Sequence, residues 1–190
     1  MIHPSPDYGI PNPNAPRELS QFAFLIGTWR CESSVKGPDG EFHTYPATWV
    51  ARYILDGYVI ADEFRQLGPA GELAQLGQNY RCFNADKKAW TIQWLDALDA
   101  TWLDLGPDDL GGVVVRGGTV TYKHRRPRGR VGRLFPLNSL FRLTYSDISE
   151  DHFTWRAELS TDTGDTWAEV QVIEAYRVKP QPPAPPPAPC

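Results

Sequence analysis

Residues Phe22–Arg30 read FAFLIGTWR, a short apolar run that ends in Gly27-Thr28-Trp29. The run predicts a turn of helix passing straight into a first β-strand. Gly27 sits at the bend, because a residue without Cβ takes positive φ cheaply. Trp29 then falls at the floor of a closed antiparallel barrel, where its flat ring seals one end. Its indole N–H needs an acceptor, and its π face attracts a cation. Near the other end of the chain, Tyr176-Arg177 supplies one. Arg177 over Trp29 staples the first strand to the last; the alternative is Trp29 in an ordinary core with Arg177 in solvent.

Outward from this stretch the chain reads as short strands and turns. Thr28–Val35 precedes the turn cluster Lys36-Gly37-Pro38-Asp39-Gly40. Thr48–Leu55 and Tyr58–Leu67 alternate apolar and polar residues about Asp56-Gly57, a hairpin signal. Gln75–Phe83 and Ala89–Leu95 form another pair. Thr101–Leu105, Val113–Arg116, Thr119–His124, Ser139–Tyr145, His152–Leu159 and Trp167–Val178 follow. About ten short strands at hairpin spacing, with one helix at Arg17–Ile26, predict an all-β antiparallel meander barrel. Flanking it, residues 1–16 carry five prolines and read as an extended arm, and residues 180–190 carry seven and read as a mobile polyproline-like tail. Residues 17–179 are left as the folded barrel domain.

Composition narrows the function classes. A net charge of −4 gives no global attraction to nucleic acid or anionic membrane. No apolar stretch is long enough to span a bilayer, and the N-terminus lacks a signal peptide's basic and apolar regions, so a cytoplasmic location is expected. Cys31, Cys82 and Cys190 are odd in number and widely spaced, which suggests neither a disulfide framework nor a zinc site. His3, His43, His124 and His152 do not converge either, so no metal is expected. Only His124 falls where it can face an interior. Ser160-Thr161-Asp162-Thr163-Gly164-Asp165-Thr166-Trp167 matches the S-x-D-x-G-x-T-W Asp-box hairpin, whose role is structural: Asp162 accepts backbone N–H groups of its own turn. The basic run Lys123–Arg133 reads as a solvated loop pairing with the Asp104–Asp109 turn.

Two carboxylates share strand faces with aromatic or apolar residues. Asp62 lies with Ile60 and Phe64, and Asp96 with Trp90, Ile92 and Trp94. A carboxylate pointing into such a face is costly unless hydrogen-bonded, which makes it a candidate acid, base or ligand anchor. A strand-end position in solvent, or pairing with Arg65 or Arg81, is the alternative.

Taken together, FLIGTWR, YILDGYVIADEFR, YRCF…KKAWTIQWLD and HFTWRAELSTDTGDTW…AYRV resemble the DUF1579 family of uncharacterised bacterial proteins, across about residues 19–179. That family is similar to the calycins, which include lipocalins and nitrobindins. The resemblance implies a lipocalin-like barrel with a cavity, with Gly27 and Trp29 in the G-x-W element and Arg177 as the closing arginine. Nitrobindins hold haem through a histidine close to the C-terminal strand; Trp167–Val178 contains none, so no cofactor is expected. The reading that follows is binding of a small, largely apolar organic molecule. Trp49, Tyr53, Phe64, Tyr80, Trp94, Trp102 and Trp155 are the expected aromatic lining, and Asp62, Asp96 and Arg142 the polar anchors. The alternative is a cofactor-independent isomerase, cyclase or decarboxylase, in which Asp62 or Asp96 acts as general acid or base and Arg142 or His124 stabilises negative charge. A protein-interaction module using the Pro-rich ends is a third reading, and a homodimer stays open.

Overall fold

A computed structural model describes residues 8–127 and 133–179. A 3₁₀ helix at Arg17–Leu25 leads into eleven strands: β1 (Gly27–Lys36), β2 (Phe42–Ile54), β3 (Val59–Leu67), β4 (Leu73–Asn84), β5 (Ala89–Asp96), β6 (Thr101–Leu105), β7 (Val114–Arg116), β8 (Thr119–Arg125), β9 (Leu140–Ser146), β10 (His152–Ser160) and β11 (Ala168–Arg177). All belong to one antiparallel sheet in the order β6-β5-β4-β3-β2-β1-β11-β10-β9-β8-β7. Every strand neighbours its sequence neighbour except where β1 meets β11 and where β6 passes to β7. The meander is therefore joined between its first and last strands and parted between β6 and β7. The sheet curls into a half-barrel, and across the parting the Gly106 N–H donates to the Lys123 carbonyl at 2.7 Å.

The 3₁₀ helix buries Leu19, Phe22, Phe24 and Leu25. Pro16 precedes it without a side-chain cap. Its C-terminal carbonyls would be orphans, and the barrel-closing residues take them up. The Trp29 indole N–H donates to the Leu25 carbonyl at 2.8 Å. Arg177 donates through Nη1 to the Ile26 carbonyl at 2.6 Å and through Nη2 to that of Phe24 at 3.1 Å. The guanidinium carbon stands 4.0 Å from the Trp29 ring centroid, and Trp29 and Arg177 are register partners. The expected staple is present. Gly27 is what permits it: φ is +130°, and a Cβ there would overlap the Arg177 guanidinium.

Other expectations take concrete form. In the Asp-box turn, Asp162 accepts the Thr166 N–H at 3.0 Å and the Ser160 and Thr166 hydroxyls, which hold its carboxyl well below the usual range. Arg125 pairs with Asp109 at the base of the basic loop; residues 128–132 of that loop, residues 1–7 of the arm, and the 180–190 tail with Cys190 lie outside the described residues. From the arm, Tyr8 hydrogen-bonds Thr28 Oγ1 at 2.8 Å, and the Asn12 N–H donates to the Gly57 carbonyl at 3.1 Å. The arm thus lies along the β2–β3 turn. No helix among the described residues is long and apolar enough to cross a membrane.

Gly27→Ala should destabilise the protein by about 2–4 kcal/mol, since it adds both backbone strain and an overlap with Arg177. Urea denaturation measures this; a midpoint equal to that of the wild type would show that the closure does not need the glycine.

Candidate functional site

The inward faces of the strands divide the barrel interior into two levels. At the closed end lie the helix residues Phe22, Phe24 and Leu25, with Trp29 and Phe153 in edge contact at 4.8 Å. Above them sits a buried polar cluster centred on Asp62 and Arg81, both fully enclosed. Asp62 is held by β3 and Arg81 by β4, and both point inward because residues 60, 62, 64 and 66 of β3 and 77, 79 and 81 of β4 share the concave face.

Asp62 accepts four hydrogen bonds: from Trp49 Nε1 at 2.9 Å, Asn79 Nδ2 at 2.7 Å, Arg81 Nη2 at 3.2 Å and Arg81 Nε at 2.6 Å. Arg81 then reaches across the barrel, donating to the Tyr122 hydroxyl on β8 at 3.2 Å and the Tyr145 hydroxyl on β9 at 3.0 Å. Its guanidinium also lies 4.7 Å from the Phe22 ring centroid. Burial alone would weaken the charge on Arg81, but the Asp62 carboxylate and the two tyrosine oxygens reverse that and raise its pKa well above the usual value. Burial likewise drives the Tyr145 pKa far up, so the phenol stays neutral.

Above this cluster opens a cavity of about 530 Å³, within the range of small-molecule sites. Trp49, Phe64, Trp94, Leu103, Phe141, Leu143, Trp155 and Ile173 line it, with Asn79, Tyr122 and Tyr145 toward the polar cluster. Gln66, Gln75, Asp96, Asp99, His124 and Gln171 supply further polar lining. The aromatic cluster is continuous, with Trp49 meeting Phe64 at 5.3 Å and Trp155 at 6.3 Å between ring centroids. Gly77 has a part in this wall: a Cβ there would fall inside the Trp94 ring, so the glycine lets that indole lie flat across β4.

The expected site residues separate into three groups. Trp49, Phe64, Trp94, Trp155, Asp96 and His124 come together around the cavity. Asp62 lies beneath it with its oxygens taken up, and Tyr53, although buried, packs at the other end of β2 under Gly9 of the arm. Tyr80, Trp102 and Arg142 are placed outside, a correction to the aromatic reading. On β4 the inward positions belong to Asn79 and Arg81, which turns Tyr80 outward; it meets Trp102, 53% exposed, at 5.9 Å. Arg142 is on the outer face of β9, in a bidentate pair with Glu158 at 2.6 Å and 4.5 Å from the Trp167 ring centroid. Asp96 caps its own turn, accepting the Leu98 and Asp99 N–H groups at 2.9 and 3.0 Å. Asn79, Gln66 and Gln171 were not anticipated. The amides of Gln66 and Gln171 share a network in which the Ser33 hydroxyl donates to Gln66 Oε1 at 2.7 Å and Gln171 Nε2 donates to Ser33 Oγ at 2.9 Å.

His124 is buried on β8, stacked on Phe141 with centroids 4.9 Å apart and planes within 4°. Its Nδ1 lies 2.7 Å from the Arg125 carbonyl, which can only accept, so Nδ1 carries the proton. Burial pushes its pKa down to about 4 against the smaller opposing effect of that bond. The ring is therefore neutral near pH 7, and Nε2 is a bare acceptor. No group of three or more His, Cys, Asp or Glu among the described residues is placed to hold a metal ion.

No family model matches the chain, and no curated protein matches it; the likeness to DUF1579 gains no support there. Solved structures do match. Rv2717c from M. tuberculosis aligns with a TM-score of 0.57 at 11% identity, covering 87% of this chain and all of that one. The S-type phycobiliprotein lyase CPES from Guillardia theta aligns with a TM-score of 0.52 at 11% identity, covering 85% of this chain and 93% of the other. The chain has a calycin-like β-barrel fold. At 11% identity the likeness concerns the barrel fold alone.

The depressed His124 pKa predicts a pH dependence. Its neutral form contributes stability that is complete above the unfolded value of about 6.5 and is lost as pH falls toward about 4. Between pH 7.5 and 4.5 the wild type should lose roughly 2–3 kcal/mol more than His124→Phe. Urea denaturation of both proteins at the two pH values reads this; equal losses would contradict it.

Proposed function

We propose that this protein binds a small, largely apolar, aromatic organic molecule inside its calycin-like barrel. The observation that carries the reading is the cavity of about 530 Å³, walled by Trp49, Phe64, Trp94, Phe141 and Trp155 rather than filled by them. A native interior is normally packed to crystal-like density. Space of this size, beside indole rings that each offer on the order of 150–250 Å² of surface, supports a resident guest.

The polar cluster supports binding over acid–base chemistry. Asp62, the strongest sequence candidate for a general base, has both oxygens engaged and does not line the cavity. Arg142, the expected electrostatic partner, is outside the barrel in a pair with Glu158. A buried carboxylate paired with a buried guanidinium, surrounded by donors, serves as a floor. The motif likeness to DUF1579 proteins is part of the same proposal and rests on the FLIGTWR, YILDGYVIADEFR, YRCF…KKAWTIQWLD and HFTWRAELSTDTGDTW…AYRV elements.

Prodan, a neutral naphthalene dye whose emission brightens and shifts to the blue in apolar surroundings, tests the reading. The wild type should show saturable enhancement with micromolar affinity. Ala157→Trp, which places an indole into the cavity from β10, should lower that affinity at least tenfold with the circular dichroism spectrum unchanged. Absence of saturable enhancement with the wild type, or full binding by a folded Ala157→Trp, would refute the assignment.

A further inference from the structure

The cavity wall presents two amide ends that the protein itself does not use. Gln66 on β3 and Gln171 on β11 both line the cavity, beside Phe64 and Ile173 of the same strand faces. Ser33 on β1, with no exposed surface, joins them. Its hydroxyl donates to Gln66 Oε1 at 2.7 Å and accepts from Gln171 Nε2 at 2.9 Å, and that Nε2 also lies 3.3 Å from Gln66 Oε1. Gln66 Nε2 and Gln171 Oε1 are left without a partner among the described residues. Neither is sealed off. The buried side-chain polar atoms that lack a partner among the described residues are Asn79 Oδ1 and Ser139 Oγ, so the two free amide ends keep accessible surface. Gln66 is 6% exposed and points inward with Phe64, so the surface its amide keeps opens on the cavity.

The pairing of roles does not depend on which way the amides face. Turning one alone brings two like ends together; turning both keeps all three contacts and exchanges the free NH₂ and the free carbonyl. In either arrangement the wall offers one donor and one acceptor, held in place by the enclosed Ser33 hydroxyl before a guest arrives. We infer that the guest is an aromatic molecule carrying a cis amide, a lactam or a primary carboxamide, whose C=O and N–H share one edge and bridge Gln66 and Gln171. The inference rests on the binding reading above and deepens it by naming the group that anchors the guest. Because Gln171 Nε2 and Gln66 Oε1 are 3.3 Å apart, the free ends of the same two amides are close enough for a single O–C–N unit to bridge. Phe64, and Trp155 as the register partner of Ile173, supply aromatic surface beside that edge for the body of the guest. A trans secondary amide points its N–H and C=O in opposite directions and reaches one of the two. In an apolar pocket a few fixed polar groups of this kind set the selectivity.

Competition against prodan at pH 7 with neutral matched compounds tests this. On the wild type, quinolin-2(1H)-one should bind about tenfold tighter than its N-methyl derivative, the worth of one hydrogen bond. 2-Naphthamide should likewise bind about tenfold tighter than N-methyl-2-naphthamide, whose amide is trans. In Gln171→Leu, which leaves the bond from Ser33 to Gln66 in place, both advantages should shrink to about twofold or less, with prodan affinity within about threefold of the wild type. Should that variant fail to fold, the two matched pairs on the wild type still decide. Equal affinities within either pair, or advantages retained by folded Gln171→Leu, would overturn the inference while prodan binding upheld the cavity. If prodan itself does not bind, the binding reading fails and this inference goes with it.

Discussion

The buried pairing of Asp62 with Arg81 is the constraint to which the rest of the interior answers. Two charges with no exposed surface are tolerable only if each finds partners on every side. Asp62 finds Trp49 and Asn79 as well as Arg81, so β2, β3 and β4 are fixed in register around one carboxylate. Arg81 finds Tyr122 and Tyr145, which ties β4 to β8 and β9 through the middle of the barrel. This matters because the sheet is parted between β6 and β7. Backbone pairing cannot hold the two halves together there beyond such links as that of Gly106 to Lys123. The guanidinium spans the gap from inside.

That cluster also explains why the barrel is solid below and hollow above. Beneath it the 3₁₀ helix fills the end with Phe22, Phe24 and Leu25, and Trp29 with Arg177 completes the seal. Above it the walls are large rings whose edges meet one another around open space. The floor is thus rigid and polar and the walls are apolar.

Much of this was legible in the residues, and the part that was not has a physical cause. Gly27, Trp29 and Arg177 could be connected across the chain because a bend, a floor indole and a cation are each unusual and mutually satisfying. The strands could be located because Gly-, Asp- and Pro-rich turns punctuate them, and each of the segments read as a strand overlaps one of the eleven in the sheet. The face of Asp62 was legible from its alternation with Ile60 and Phe64. The face of β4 was not, because Tyr80 looks like lining and Asn79 and Arg81 look like surface until Asp62 is known to require them inside. The same preference for aromatic lining misplaced Trp102, whose register partner Leu95 faces outward. Arg142 looked like an anchor because neither Glu158 nor Trp167 is near it in sequence. Gly77 gave no turn signal at all; its meaning lies in the Trp94 ring that crosses it.

A double-mutant cycle on the central pair tests the account most directly, with stability and prodan affinity read on the same four proteins. Asp62→Leu and Arg81→Met alone should each cost about 3–5 kcal/mol, because each strands a buried charge or its partners. The double variant should cost well under the sum, with a coupling of at least about 2 kcal/mol, and should keep prodan affinity within about threefold of the wild type. Additive losses, single variants within about 1 kcal/mol of the wild type, or a stable double variant that no longer binds the dye would contradict the claim that this pair is the structural floor of the cavity.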